Sequence, residues 1–148
     1  MKLQISSRLA LFALLEVAAA PDRPVAVGDI GRKYGVSNHH LAKVMHTLAR
    51  AGLVRSLRGA GGGYQFSGNA RRVTLLDVIL LFEHLGAEAA KMLAEEDTDE
   101  GRALDEVLGE IDEIARATLG SITLATMLKQ IERRRSPARQ PAAVVSRS

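Results

Sequence analysis

Three features of this 148-residue sequence predict a mainly α-helical chain with a single small β-hairpin. Apolar residues recur at helical spacing through much of the first half and again toward the C-terminus. Two short β-prone runs flank the glycine cluster Arg58-Gly59-Ala60-Gly61-Gly62-Gly63. Aromatic residues make up only 3% and Trp is absent, so Ala, Leu, Ile and Val must fill the core, which suits helices.

In chain order, Leu9, Leu11, Phe12, Leu14, Leu15 and Ala18 predict a helix from Ser6 to Ala20, ended by Pro21 and Pro24. The apolar run Leu9 to Ala20 has some look of a secretion signal, but Glu16 breaks it and it is too short to span a membrane; a buried first helix is expected. Ala26 to Tyr34 reads as a short second helix. Gly35 supplies a tight turn, and Ser37 is placed to cap a third helix running from Asn38 to Ala51. In that helix Leu41, Val44, Met45 and Leu48 form one buried stripe, and Gly52 stops it. Leu53–Leu57 and Tyr64–Ser67 are the strands of the hairpin. Thr74 caps a fourth helix, Leu75 to Leu85. A long helix from Asp99 to Leu119 is expected next, with Asp97 and Glu100 spaced like a capping box. A short last helix spans Thr123 to Arg134, and from Pro137 the chain reads as a disordered tail.

Charge is unevenly placed. Residues 1–75 hold eleven Lys/Arg and three acids; residues 76–148 hold nine Lys/Arg and fourteen acids. A polyanion-binding half joined to a different module would produce this, and so would two differently solvated faces. The absence of Cys excludes disulfides, zinc–thiolate sites and thiol redox sensing, and fits a cytoplasmic protein.

Two short helices, a glycine turn, a third helix and a glycine-tipped hairpin give the order of a winged helix-turn-helix. A helix fits the major groove of B-DNA, and its outward side chains reach base edges. Opposite the apolar stripe of the third helix stand His39, Lys43, His46 and Arg50, with Asn38 and His39 at the first turn. Asn pairs with adenine, while Lys and Arg meet guanine or phosphate. In the hairpin, Arg55 and Arg58 flank glycines that let the backbone approach phosphates or enter a minor groove. Taken alone, each feature is also compatible with a solvated helix face and an ordinary hairpin. A phosphate-binding nucleotide loop is disfavoured, because Gly59-x-Gly61 precedes a strand and no Gly-Lys-Ser/Thr follows.

Several stretches resemble the Rrf2 family of bacterial transcription regulators, which includes the IscR and NsrR types. They are Val36-Ser37 through Leu41, Leu48-x-x-Ala51-Gly52-Leu53-Val54-x-Ser56, Arg58-Gly59-x-x-Gly62-Gly63-Tyr64, Thr74-Leu75-x-Asp77-Val78 and Leu119-x-Ser121-Ile122-Thr123-Leu124. The likeness extends over residues 1–132. It implies a homodimer, by family habit a repressor, on a partly palindromic double-stranded DNA site. The DNA-contacting residues it carries over are Ser37, Asn38, His39, His40, Lys43, Arg55, Arg58, Gly59, Gly62, Gly63 and Tyr64. It also implies that the long helix crosses its dimer mate. Leu104, Leu108, Ile111, Ala115 and Thr118 step by four and three, as in a helix–helix seam, although intrachain core would show the same stripe.

Many members of the family hold an iron–sulfur cluster on three Cys between the fourth and long helices. Here the corresponding Gly86–Gly101 is acidic and lacks Cys, so a thiolate-held cluster is excluded and no cofactor is expected. The acidic run does not fit a calcium loop, since Val107 falls where the bidentate acid belongs. His39, His40 and His46 lie on one helix and His84 stands apart, so metal binding is not expected. The expected organisation is a DNA-binding domain over residues 1–85, a loop over 86–101 in place of the cluster segment, dimerisation and C-terminal helices over 102–134, and a tail over 135–148. A small-molecule effector, of unidentified chemistry, would sit between the DNA-binding half and the long helix. No nucleophile–base spacing or nucleotide motif points to an enzyme. The alternative reading is a winged-helix protein-interaction module that does not bind DNA.

Overall fold

The computed structural model describes residues 2–83 and 98–136. Its elements run α1 (Ile5–Ala19), α2 (Val27–Tyr34), α3 (Asn38–Arg50), β1 (Val54–Leu57), β2 (Gly63–Phe66), α4 (Leu75–Ile79), α5 (Asp99–Ser121) and α6 (Leu124–Arg135). The expected mainly helical fold with one antiparallel hairpin is the fold observed.

α1 is the centre of the molecule. Helices α3, α4 and α6 and strand β2 all pack against it, so its buried residues lie on several faces, Leu9, Ala13, Leu14 and Val17 among them. A helix that is apolar nearly all round is the kind that ends up enclosed. That accounts for the run Leu9 to Ala20. Among the described residues, no helix is long and apolar enough to cross a membrane. From α3 the predicted stripe Leu41, Val44, Met45 and Leu48 enters the same core, each residue at most 2% exposed. Burial on this scale stabilises the fold by roughly 1.5–3 kcal/mol per large side chain.

The hairpin pairs Val54 with Phe66 and Leu57 with Gly63 at its two ends. It is fastened to the loop before α2 by reciprocal bonds: Val25 N–H donates to the Tyr64 carbonyl at 2.8 Å, and Tyr64 N–H to the Val25 carbonyl at 2.9 Å. Gly63 makes this approach possible. A Cβ there would lie 2.3 Å from the Val25 carbonyl oxygen, and its φ of 151° disfavours other residues.

α4 is shorter than expected. Its start is the predicted one, with Thr74 and Asp77 forming a reciprocal capping box. Regular helix stops at Ile79, because Leu81 N–H turns to the Val78 carbonyl and Phe82 N–H to the Ile79 carbonyl, a tighter three-residue spacing. Val78 and Ile79 are fully buried, whereas Leu80, expected to pack, is 42% exposed. α5 is capped by Thr98, whose hydroxyl accepts the Gly101 N–H at 3.0 Å, and not by the Asp97–Glu100 pair. No residue of α5 is buried within the chain, so its apolar stripe is not intrachain core. After α5 the chain is stitched back to the winged-helix body: Leu75 N–H donates to the Ile122 carbonyl and Leu124 N–H to the Val73 carbonyl, both at 2.9 Å. α6 then packs on α1 through fully buried Leu124 and half-buried Leu128 and Ile131. The expected tail from Pro137, and all but Thr98–Gly101 of the acidic loop, lie outside the described residues.

Candidate nucleic-acid interface

Helices α2 and α3 meet across a turn made by Gly35, which takes the left-handed conformation at φ 65° and ψ 39°. Ser37 then caps α3, its hydroxyl accepting the His40 N–H at 3.2 Å. Both are the residues the sequence pointed to. Their effect is to hold the first turn of α3 in place with Asn38 and His39 exposed at its surface.

Around the helix, His39, Lys43, His46 and Arg50 are exposed, opposite the buried stripe. His40 is different. It is half-buried, and its Nε2 shares a 3.4 Å hydrogen bond with the Ser6 hydroxyl of α1. Asn38 also has a neighbour not foreseen from sequence. Its Oδ1 lies close enough to Gly31 that a Cβ there would come within 2.8 Å of it, and within 2.9 Å of the Val36 carbonyl oxygen. The absent side chain at Gly31 therefore sets how closely α2 and α3 approach.

In the hairpin, Arg55 is exposed and donates to Gln65 Oε1 at 3.3 Å across the strand pair, while the Gln65 amide donates to the Pro21 carbonyl at 2.8 Å. Arg58 and Gly59 are exposed at the loop, with Gly62 and Gly63 half-buried behind them. Tyr64 is half-buried, its ring against the hydrophobic core. From Ile30 to Leu76 the chain contains no acid and eight Lys/Arg, so α3 and the hairpin form an uninterrupted basic stretch.

Behind this surface lies a polar network that sequence inspection missed, because its members come from separate helices. The Tyr34 hydroxyl donates to Glu16 Oε1 at 2.6 Å, and Lys33 bonds the same carboxylate. The Tyr34 ring stacks on Phe12, with centroids 4.8 Å apart and planes 2° from parallel. Burial alone would raise the Glu16 carboxyl, but hydrogen bonds from Lys33 and Tyr34 and the charges of Lys33 and Arg135 hold it below its ordinary value. Tyr34 is pushed up, first by burial and then by its bond to the Glu16 carboxylate. The network locks α1 to α2, and through Gly35 it sets the entry to α3.

Among the described residues, no three His, Cys, Asp or Glu come together as a metal site. With no Cys in the chain, the donor set does not fit an iron–sulfur cluster held by thiolates.

The chain resembles known regulators along most of its length. The model of the Rrf2 family, described as an iron-dependent transcriptional regulator, matches residues 3–130. The chain is 51% identical over 142 residues to a protein of Rhodopseudomonas palustris named as an HTH-type transcriptional regulator, BadM; the match covers 95% of this chain and 90% of that protein. It is 33% identical over 135 residues to the HTH-type transcriptional regulator IscR of Xenorhabdus nematophila, covering 89% and 82% of the two chains. Among solved structures, the global cysteine regulator CymR of B. subtilis superposes with a TM-score of 0.72 at 27% identity, covering 88% of this chain and 98% of that one. The IscR of T. potens superposes with a TM-score of 0.67 at 28% identity, covering 97% and 94%. A winged helix-turn-helix, a long helix after it and a family match over residues 3–130 lead to one conclusion: this chain belongs to the Rrf2 family of transcriptional regulators, and it lacks the cysteines that would hold an iron–sulfur cluster.

Proposed function

We propose that the protein is a transcriptional repressor acting as a homodimer on a partly palindromic double-stranded DNA site. The observation that carries this reading is the acid-free stretch from Ile30 to Leu76, which spans α3 and the hairpin and presents cations to solvent from both. In this reading α3 enters the major groove. Asn38 and His39 meet base edges, Lys43 meets phosphate, and Ser37 and His40 hold the helix start. The hairpin follows the minor groove with Arg55 and Arg58. Gly59, Gly62 and Gly63 let its backbone come close, and Tyr64 anchors the hairpin to the core.

The homodimer rests on α5. Leu104, Val107, Leu108, Ile111 and Ile114 are each more than half exposed on a helix about 35 Å long, with Ala115 and Thr118 continuing the stripe. A bare apolar surface of this extent is a docking surface in a monomer. A second copy would cover it symmetrically and place two α3 helices at half-sites one helical turn apart.

Selection of bound fragments from sheared genomic DNA tests the proposal. A shared motif with half-sites about 10 base pairs apart, centre to centre, is the expected result. Retention that is absent, or equal for all fragments at moderate salt, overturns it in favour of a module that binds protein partners.

A further inference from the structure

Charge alternates along the second half of the chain. α5 carries seven acids and two arginines, whereas Lys129, Arg133, Arg134 and Arg135 of α6 face a single acid, Glu132. Folding separates these two segments. α5 projects from the body, and α6 returns to it along α1. Arg135 stands one helical turn beyond Ile131, on the stripe begun by Leu124 and Leu128, so the packing sets the end of α6 down on α1. Glu16 marks the place. It ties α1 to Lys33 and Tyr34 at the end of α2, and it feels the charge of Arg135. Three residues after Tyr34, at most about 11 Å of chain, comes Ser37 at the start of α3.

The basic end of α6 is thus carried to the corner from which α3 departs. There it joins Arg32 and Lys33 of α2, which already have partners in Asp29 and Glu16. Arg133 and Arg134 are exposed and make no ion pair among the described residues. A helix C-terminus favours a nearby cation, but that does not require three in succession. Consecutive residues point about 100° apart, so Arg133, Arg134 and Arg135 ring the helix end and present positive charge to whatever lies beside it.

We propose that the end of α6 is a second DNA-binding surface, whose Arg133 and Arg134 engage backbone phosphates flanking the base pairs read by α3. The proposal rests on the DNA-binding reading above and extends it outward from the recognition helix. Guanidinium groups suit this role because they pair bidentately with phosphate oxygens without regard to sequence. The contact adds affinity and orientation, and leaves base preference to α3 and the hairpin.

The test uses the full chain and the double variant Arg133→Gln/Arg134→Gln on the selected site, in duplexes with progressively shorter flanks and across a salt series. Both side chains are exposed, so folding and oligomeric state should match the wild type, as checked by circular dichroism and sedimentation. Wild-type affinity should fall several-fold when the flanks are trimmed. On long duplexes the variant should bind about 10-fold more weakly, with a log affinity–log salt slope shallower by about 2. Trimming should not affect it, its base preference should be unchanged, and Arg133→Lys/Arg134→Lys should recover the slope. A variant with wild-type affinity, slope and trimming response overturns this assignment alone. A variant with altered base preference also overturns it, by placing the arginines at the read base pairs. Failure of the wild type to bind any duplex overturns the functional reading beneath it.

Discussion

The Glu83 carboxylate accepts the backbone N–H of Gln4 at 2.6 Å, across a sequence separation of 79 residues. Gln4 is the N-cap of α1, which has no side-chain cap of its own and no acid in its first turn. Glu83, only 8% exposed, therefore supplies from the end of α4 what a local capping residue would otherwise supply, and its charge complements the positive end of the helix. Glu83→Ala should destabilise the fold by about 2 kcal/mol, the worth of a charge-assisted hydrogen bond. Glu83→Gln, which keeps an acceptor, should cost less. Urea unfolding of both variants checks this; equal stability to the wild type would mean that the bond contributes nothing net.

Glu16 and Tyr34 give the protein two opposed pH limbs. The Glu16 carboxyl is held below its ordinary value near 4.5, so its contribution is present above that pH and is lost as pH falls through the depressed value. Tyr34 is raised above its ordinary 10.0, so its contribution is complete below pH 10 and is lost as pH rises through the raised value. Glu16→Gln should flatten the acid limb of stability, and Tyr34→Phe the alkaline limb. Urea midpoints from pH 3 to 6 and from 9 to 11 measure each limb separately.

Replacing Leu108 and Ile111 with Glu should leave the winged-helix body folded and abolish self-association. Neither residue is buried within the chain, so intrachain packing loses little. Sedimentation equilibrium should read monomer for the variant and dimer for the wild type. A dimeric variant would locate the seam away from α5.

The α3 and hairpin residues should divide their effects. Asn38→Ala or His39→Ala should cost roughly 1–3 kcal/mol on the preferred site and relax base preference there. Arg58→Ala should weaken binding to all duplexes alike and reduce the salt slope by about 1. Titrations on the selected site and on a scrambled duplex separate the two patterns; wild-type binding by every variant would remove α3 and the hairpin as the DNA surface.

Much of the recognition unit was legible in the sequence because its causes are local. Gly35 and Ser37 act on their immediate neighbours, and the stripe from Leu41 to Leu48 follows from helical spacing. Thr74 likewise finds its partner three residues on, at Asp77. His40 was less legible. Its position on α3 does not say that it faces Ser6, a residue 34 positions earlier. The end of α4 was misjudged for a similar reason: the apolar run to Leu85 continues the helical pattern, whereas the backbone tightens after Ile79.

By itself the sequence determined the order of elements, the buried face of α3, the glycine-tipped hairpin and the impossibility of a thiolate-held cluster. Each depends on residue chemistry or on spacing within one or two turns. Only the tertiary structure decided that Glu83 caps α1, that Tyr34 and Lys33 converge on Glu16, and that the basic end of α6 comes back beside α2 while acidic α5 stands clear. These depend on how helices far apart in the chain pack around α1. The free energy of that packing is summed over the whole core, and no local pattern of residues encodes it.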